Sequence, residues 1–562
     1  MFAIALTGMV IIYHQLWADP AGRVLGSRNH GNDPMQMMWF LKWVPWAIVH
    51  GQSPFNSDAI FYPHGVALTW NTFVPTLGIL AAPITFTLGA AYSFAALMTL
   101  GPALTTLTGF WWLRRYTRHA GAAAIGAFTF SFSPFVAGHL LGHLNLVFLP
   151  LVPLMIMLLE DLLWRFPRKS SRTAVYLAIA AAAQAGISEE VLIILAIGVL
   201  AAAIAAAVVM PRRTAAAVRH AIIPLFAAAA LFCVLAAPML LNQLLFARHV
   251  VLQSQRFHAV VDDYVYSTTQ QIWSTAGGHY SKLGGAEDGV YVGWGLLVAL
   301  LLAIALTWRR DRLVRVAAIA AVILVALTFG TDGIPHVWLP WRLLTRVADL
   351  RSVLPARIAL GTFLVIAWLL SRWIDQLWDR ARPRVADPQV SERGRAIAAI
   401  TALILVLIPL LTLTPRALGT SALPPSVPFF GSRAEHRLIP ASAPVLLLPM
   451  PWPGDARAMY YQQLDNFHFV QPGGYALLPA GQDNGDADIL RRLVAGPPGA
   501  HARGEAATAL AEGRDALRHL HPKAIIVVLS APNSRWFSTL AQRLTGRAPD
   551  LSSSGVAVWL LG

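Results

Sequence analysis

Long apolar runs separated by short basic loops dominate the first three quarters of the chain. A membrane span needs roughly 17–25 mostly apolar residues. Runs that reach or approach this length lie at 2–17, 93–113, 120–137, 145–163, 173–188, 191–210, 221–240, 291–308, 316–330, 358–371 and 396–414. A further apolar stretch, 73–91, contains Pro75 and Pro83. The pattern changes after residue 414. Runs at 444–450, 524–529 and 556–561 have strand length, 534–544 has helical spacing, and the Pro/Ser-rich 423–430 reads as a linker. The expected architecture is mostly α: a polytopic membrane helix bundle over 1–414 with a first outer loop at 18–92, then a C-terminal extracytoplasmic α/β domain over 415–562.

The basic residues set the orientation. If 73–91 does not cross and the first loop is outside, the clusters at 114–118, 165–172, 212–219, 309–315 and 372–395 all face inside. They hold 20 of the 43 basic residues, against 10 in the outer membrane loops and 13 in the tail. If 73–91 crossed, every one of those clusters would face outside. The positive-inside rule therefore predicts about eleven spans, with 73–91 a re-entrant or interfacial helix. The first span begins at Met1 with no basic flank. That is the pattern of a start site that trims the natural N-terminus, or of a chain that begins within the bilayer, more than of a cleaved signal peptide.

Composition agrees with this layout. Hydrophobic residues make up 56% of the 562 and charged residues 13%, with a mean hydropathy of +0.56. A soluble enzyme, a disordered chain and a coiled coil are excluded. The single cysteine, Cys233, excludes a disulfide framework and a cysteine zinc site. A net charge of +15 would point to nucleic acid in a soluble protein. Here orientation accounts for most of it, and nucleic acid is not an expected partner. There is no internal repeat, Walker motif, GxGxxG or HExxH.

The candidate chemistry gathers on the expected outer face. The first loop reads Arg28-Asn29-His30-Gly31-Asn32-Asp33-Pro34-Met35-Gln36 and leads into a helix with Trp39, Trp43 and Trp46 on one face. Tryptophan favours the headgroup level, so this helix is expected to lie flat on the outer surface. Asp33 precedes it with Pro34 at the first helical position, where a capping role alone would also account for it. Glu189 and Glu190 stand between two apolar runs, and carboxylates at that depth need a polar cavity or a partner, or else a simple exposed turn. His139 and His143 are four residues apart, which puts both imidazoles on one face if the segment is helical. A metal there would need further ligands, which Glu189 or Asp33 would supply. Hydrogen-bonded histidines or a phosphate contact are the plainer readings, so no cofactor is assigned beyond a candidate divalent cation. The segment 331–357 carries His336, Arg342, Arg346, Arg351 and Arg357. Such a cluster suits a phosphate or pyrophosphate group, or anchors lipid headgroups.

The layout resembles the GT-C superfamily, polytopic glycosyltransferases that use polyprenyl-phosphate sugars. The local likeness is strongest in Asn32-Asp33-Pro34-Met35-Gln36 with its tryptophan helix. It continues in Phe61-Tyr62-Pro63-His64-Gly65 ahead of the apolar 73–91, and in Gly473-Gly474-Tyr475 of the tail. The whole chain is most similar to large bacterial multi-span members of that group. It departs from their Asp-x-Asp or paired-acid form, because Asp33 stands between Asn32 and Pro34, so this loop lacks a metal-bridging acid pair.

The resemblance implies a hexosyl- or pentosyltransferase of the bacterial plasma (inner) membrane. It would move a sugar from a polyprenyl-phosphate donor to a glycan or glycolipid acceptor of the envelope, with membrane lipid around it. Asp33 would be the base. Glu189 and Glu190, with His139 and His143, would orient the acceptor or hold a cation. Arg342, Arg346, Arg351 and Arg357, backed by His336 and His64, would bind the lipid phosphate. A non-catalytic envelope-assembly or glycan-binding protein, or a lipid or sugar transporter, is the alternative. The outer clustering of polar groups disfavours transport, whose sites usually lie at the midplane.

Overall fold

The computed structural model of the protein describes residues 1–26, 32–165, 170–246, 257–274, 289–347, 349–381, 407–478, 485–495 and 503–562, with single positions at 397, 400, 401 and 404. Arg28 to Gly31, the basic residues Arg168, Lys169, Arg382, Arg384, Arg393 and Arg395, and part of the apolar run 396–414 lie outside the described residues. The chain forms two compact units. One comprises 1–14, 97–237 and 251–418, and the other 15–96, 238–250 and 419–562.

The first unit is helical. Among the described residues, six helices of the chain are long and apolar enough to cross a membrane: Ala90–Leu113, Ala120–His139, Leu144–Arg165, Glu189–Val209, Pro211–Phe246 and Pro355–Asp379. Four other expected spans correspond to shorter helices: Phe2–Ile12, Ser170–Ala185, Trp294–Thr307 and Arg312–Thr328. The most apolar 18-residue window of Pro211–Phe246 is only 17% buried, with Ile223 and Phe226 more than three-quarters exposed. A helix that presents such side chains outward requires a lipid-like surrounding.

Small residues set how closely these helices approach. A Cβ on Gly126 would stand 1.9 Å from Ser371 Oγ and 2.6 Å from the Ala367 carbonyl, so Ala120–Ser131 lies directly against Ala359–Ala381. Close backbone approach through small residues is how membrane helices gain packing without a hydrophobic driving force. Gly126→Val is expected to cost about 1–3 kcal/mol or more through overpacking. Gly198→Val is the control, since nothing lies within 4 Å of a Cβ there. Thermal midpoints of the two variants in detergent check this, with a drop for the first and little change for the second.

The helix ends near the basic clusters are closed by ion pairs. Arg115 grips Asp161 with two bonds of 2.8 and 3.1 Å. Arg372 reaches Asp311 at 2.7 Å. Asp375 accepts the backbone amides of Arg118 and His119 at 2.9 and 2.8 Å.

The second unit contains a five-stranded sheet in the order Phe469–Val470, Ala443–Leu448, Ala524–Val528, Val556–Leu560, Leu551–Ser553. The first three strands run parallel, and the last two join antiparallel. The three apolar runs expected as strands and the helix Ser534–Thr545 are all present. Alternate residues Leu446 and Leu448, Ile525 and Val527, Ala557 and Trp559 point to one face, where Leu490, Leu517, Phe537 and Leu540 from three helices cover them.

The first outer loop belongs to this same unit. Its helix Asn32–Val49 carries Trp39 and Trp43 stacked at 5.4 Å, and Phe467 meets both edge-on at 5.4 and 5.1 Å. The tryptophan face expected at the headgroups is therefore buried against protein, with Trp39 0% and Trp43 2% exposed. An aromatic stripe at this spacing serves a protein partner as well as a lipid interface, and here the tail supplies the partner. The stretch at 73–91 forms a 13-residue helix, Pro75–Thr87, whose Gly78 packs on Val44. It rises about 20 Å, short of the roughly 30 Å hydrocarbon core.

Candidate functional site

Asp33 stands in the first turn of Asn32–Val49, where the helix dipole favours a carboxylate. Its Oδ1 accepts a hydrogen bond from the Tyr475 hydroxyl. Tyr475 is delivered there by Gly473 and Gly474. A Cβ on Gly474 would stand 2.5 Å from the Phe61 ring, and one on Gly473 2.7 Å from the Pro451 carbonyl. Only a chain without side chains at these two positions passes between Phe61 and Pro451. Gln36, one turn after Asn32, then fixes the loop by donating to the Tyr475 carbonyl at 2.5 Å. Asn32 accepts from the Ala456 amide at 3.2 Å and donates to the Pro453 carbonyl at 3.3 Å.

Beneath this contact lies a buried amide network. Gln462 accepts from Trp39 Nε1 at 3.0 Å and from Gln471 Nε2 at 3.2 Å, and it donates to the Ala59 and Phe469 carbonyls at 2.6 and 3.0 Å. Two backbone bonds extend it, from Gln471 to Ala59 and from Tyr62 to Gln471. The helix that bears Asp33 is thereby held to the tail by buried bonds, which carry more positional specificity than exposed ones. Lys42 lies farther along the helix, 5.4 Å from the Phe86 ring centre, and burial lowers its ammonium pKa. His64 is exposed in the same unit.

The other candidates lie in the helical unit. Ser188 caps Glu189–Val209 by accepting from the Val191 amide, which places Glu189 and Glu190 in the first turn. Glu190 accepts Arg357 Nη1 at 2.5 Å and the Leu354 amide at 3.4 Å. The two side chains are only 19% and 12% exposed. Arg357 also acts electrostatically on the His139 ring. His139 bonds the Phe135 carbonyl through Nδ1 at 2.7 Å and meets His143 edge-on at 5.4 Å. Glu190, Arg357, His139 and His143 thus lie in one neighbourhood.

Arg342 and Arg351 are exposed and bond the carbonyls of Thr331 and Thr345. Arg346 and His336 are exposed as well, and His336 has a left-handed φ of +61°.

An apolar cavity of about 280 Å³ lies among the spans of this unit, walled by residues such as Trp112, Ile156, Ile194, Met210, Leu324 and Trp368.

Tyr475 and Gln462 are functional candidates that sequence reasoning missed as such. Gly473-Gly474-Tyr475 was visible as a pattern, but nothing in it named Asp33 as the partner, 442 residues away.

The fold that these elements build has a likeness among solved structures. Among solved structures the chain is similar to the arabinofuranosyltransferase AftD from Mycobacteria, with a TM-score of 0.51, 16% identity, and 100% of this chain covering 40% of that one. It also matches the archaeal oligosaccharyltransferase AglB from Archaeoglobus fulgidus, with a TM-score of 0.47, 12% identity, and coverage of 96% and 71%. The AftD likeness is one of fold, and the chain spans less than half of that protein. No protein-family model and no curated protein sequence matches the chain.

Proposed function

We propose that the protein is a GT-C-type membrane glycosyltransferase of the bacterial plasma membrane. It transfers a hexosyl or pentosyl group from a polyprenyl phosphate to an envelope glycan or glycolipid at the outer face. The observation that carries this reading is the Asp33 carboxylate, set at the head of its helix and held by Tyr475. In the reaction the acceptor hydroxyl attacks the anomeric carbon, the bond from that carbon to the phosphate oxygen breaks, and Asp33 takes the hydroxyl proton. The departing lipid phosphate gains charge, which guanidinium groups stabilise. Arg342, Arg346 and Arg351 are assigned this role, and His336 and His64 are further candidates for it. Arg357 is held by Glu190, so this pair is assigned to shaping the acceptor side with Glu189, His139 and His143. The apolar cavity supports the reading by offering room for part of a polyprenyl chain.

The test is direct. Purified protein in a lipid nanodisc is incubated with labelled polyprenyl-phosphate hexoses and pentoses, including an arabinofuranosyl donor, and with envelope extract. A labelled glycan product is expected. Donor binding without transfer from any of these sugars would overturn the assignment.

The reading also requires about eleven spans with the tail outside, as the basic residues demand. A reporter fused after Gly562 is expected to be active only when extracytoplasmic. Activity of a cytoplasm-only reporter at that position would reverse the orientation.

A further inference from the structure

A second cluster of ionisable groups lies in the tail and is unused by the proposed chemistry. Ser432 caps the short helix Arg433–Leu438 and accepts from the Glu435 amide at 3.1 Å. Glu435 Oε2 turns back to accept the Gly431 amide at 2.6 Å. Asp465 ends the helix Arg457–Leu464, with Oδ1 3.9 Å from where a Cβ on Gly431 would sit. Both carboxyl groups are buried, Glu435 at 0% and Asp465 at 5% exposure. Glu435 Oε1 and Asp465 Oδ2 receive no donor from any other residue described, and the two carboxyl groups are close enough to hydrogen-bond each other when one carries a proton. The exposed His436 completes the group: one ligand atom from each of the three residues lies within 4.8 Å of the other two. His436 stacks on His468 at 4.3 Å, and His468 is itself fixed by the Ile439 carbonyl at 2.9 Å.

Two buried carboxylates at this separation repel each other unless a proton or a cation lies between them. Burial first, and the charge of Asp465 second, push the Glu435 carboxyl up to about 8. A cation answers the geometry more fully than a proton, because it also uses the imidazole at the solvent edge. Ligands about 2.1 Å from a tetrahedral ion are about 3.4 Å from one another, so side-chain shifts on the order of an ångström bring these atoms onto one centre. Two carboxylates with one imidazole suit Zn²⁺ or Mn²⁺, and the exposed side leaves room for water as a further ligand.

We infer that Glu435, Asp465 and His436 form a divalent-cation site of the Zn²⁺ or Mn²⁺ class that clamps the turn carrying Phe467. That turn needs a clamp. Asn466 and Phe467 both have left-handed φ, +49° and +59°, a conformation that a side chain like that of Phe467 rarely adopts. Phe467 is the ring that fills the face of Trp39 and Trp43. The ion would therefore stabilise the seat of the Asp33-bearing helix without touching the reacting atoms.

The full-length protein in detergent, stripped with EDTA, is titrated with MnCl₂ and the bound ion is read by electron paramagnetic resonance. ZnCl₂ is then added, both as competitor and in a separate thermal-shift series. One ion per chain that is at least tenfold weaker in Glu435→Gln and in His436→Ala is expected. A Zn²⁺-dependent rise in thermal midpoint that His436→Ala abolishes supports the site equally. His436 is exposed, so its variant retains the fold even where the buried Glu435→Gln does not. Unchanged ion binding in His436→Ala, or no response to either ion in the parent protein, overturns the site and leaves a shared proton between the carboxyl groups.

Discussion

Arg357→Ala is expected to destabilise the helical unit by about 3–5 kcal/mol, more than any exposed arginine of the same segment. The Glu190–Arg357 pair is mostly buried, and Glu190 has only the Leu354 amide, at 3.4 Å, as its other described bond. Removing the guanidinium leaves a carboxylate in a low-dielectric setting, where the remaining charge sets the cost more than the lost attraction does. Replacing both residues with methionine is expected to recover most of the loss, because no orphan charge then remains. Arg346→Ala, which removes an exposed side chain, is expected to change stability by less than about 0.5 kcal/mol. Thermal midpoints of the four proteins in detergent decide the matter. A double variant no more stable than Arg357→Ala would mean that the pair acts through shape and not through charge.

That pair also marks how far the sequence could be read. Glu190 and Arg357 each stood out because charge at the edge of an apolar run is costly, but 167 residues separate them and nothing local matches one to the other. Single helices and strands were legible where their own composition decides them. The runs at 444–450, 524–529 and 556–561 became strands because β-branched and leucine-rich segments of that length bury well in a sheet. The helices Gly485–Ala495 and Arg503–Leu520 were not anticipated. Their apolar positions are diluted by alanine, arginine and aspartate, and only the sheet face they cover reveals the stripe. The tryptophans show the converse. Trp39, Trp43 and Trp46 were placed correctly on one face, but a stripe of rings does not state whether lipid or Phe467 will cover it. The Asp33 contact was hidden for the same reason as the ion pair, since the tyrosine that holds it comes from the other end of the chain.

Asp33→Asn is expected to lower glycosyl transfer by roughly 10²-fold or more while leaving the fold intact. Asparagine keeps the size of the side chain and its ability to accept from Tyr475, and it is as good a residue at a helix start as aspartate. What it loses is the capacity to take a proton. A capping or purely structural Asp33 therefore predicts near-normal transfer and an unchanged thermal midpoint, whereas a base predicts lost transfer at the same midpoint. Tyr475→Phe separates the two contributions further. It removes the donor to Asp33 but spares the carboxylate, and the Gln36 bond to the Tyr475 carbonyl and the glycine passage beside Phe61 do not depend on the hydroxyl. A hydrogen bond to a charged group is worth about 1.5–3 kcal/mol. Its loss is expected to slow transfer less than Asp33→Asn does, by loosening the orientation of a base that is still present. Initial rates with a saturating polyprenyl-phosphate donor, measured beside midpoints for both variants, give the comparison. Full transfer by Asp33→Asn would end its assignment as the base. A larger loss in Tyr475→Phe than in Asp33→Asn would move the chemistry from the carboxylate to the tyrosine.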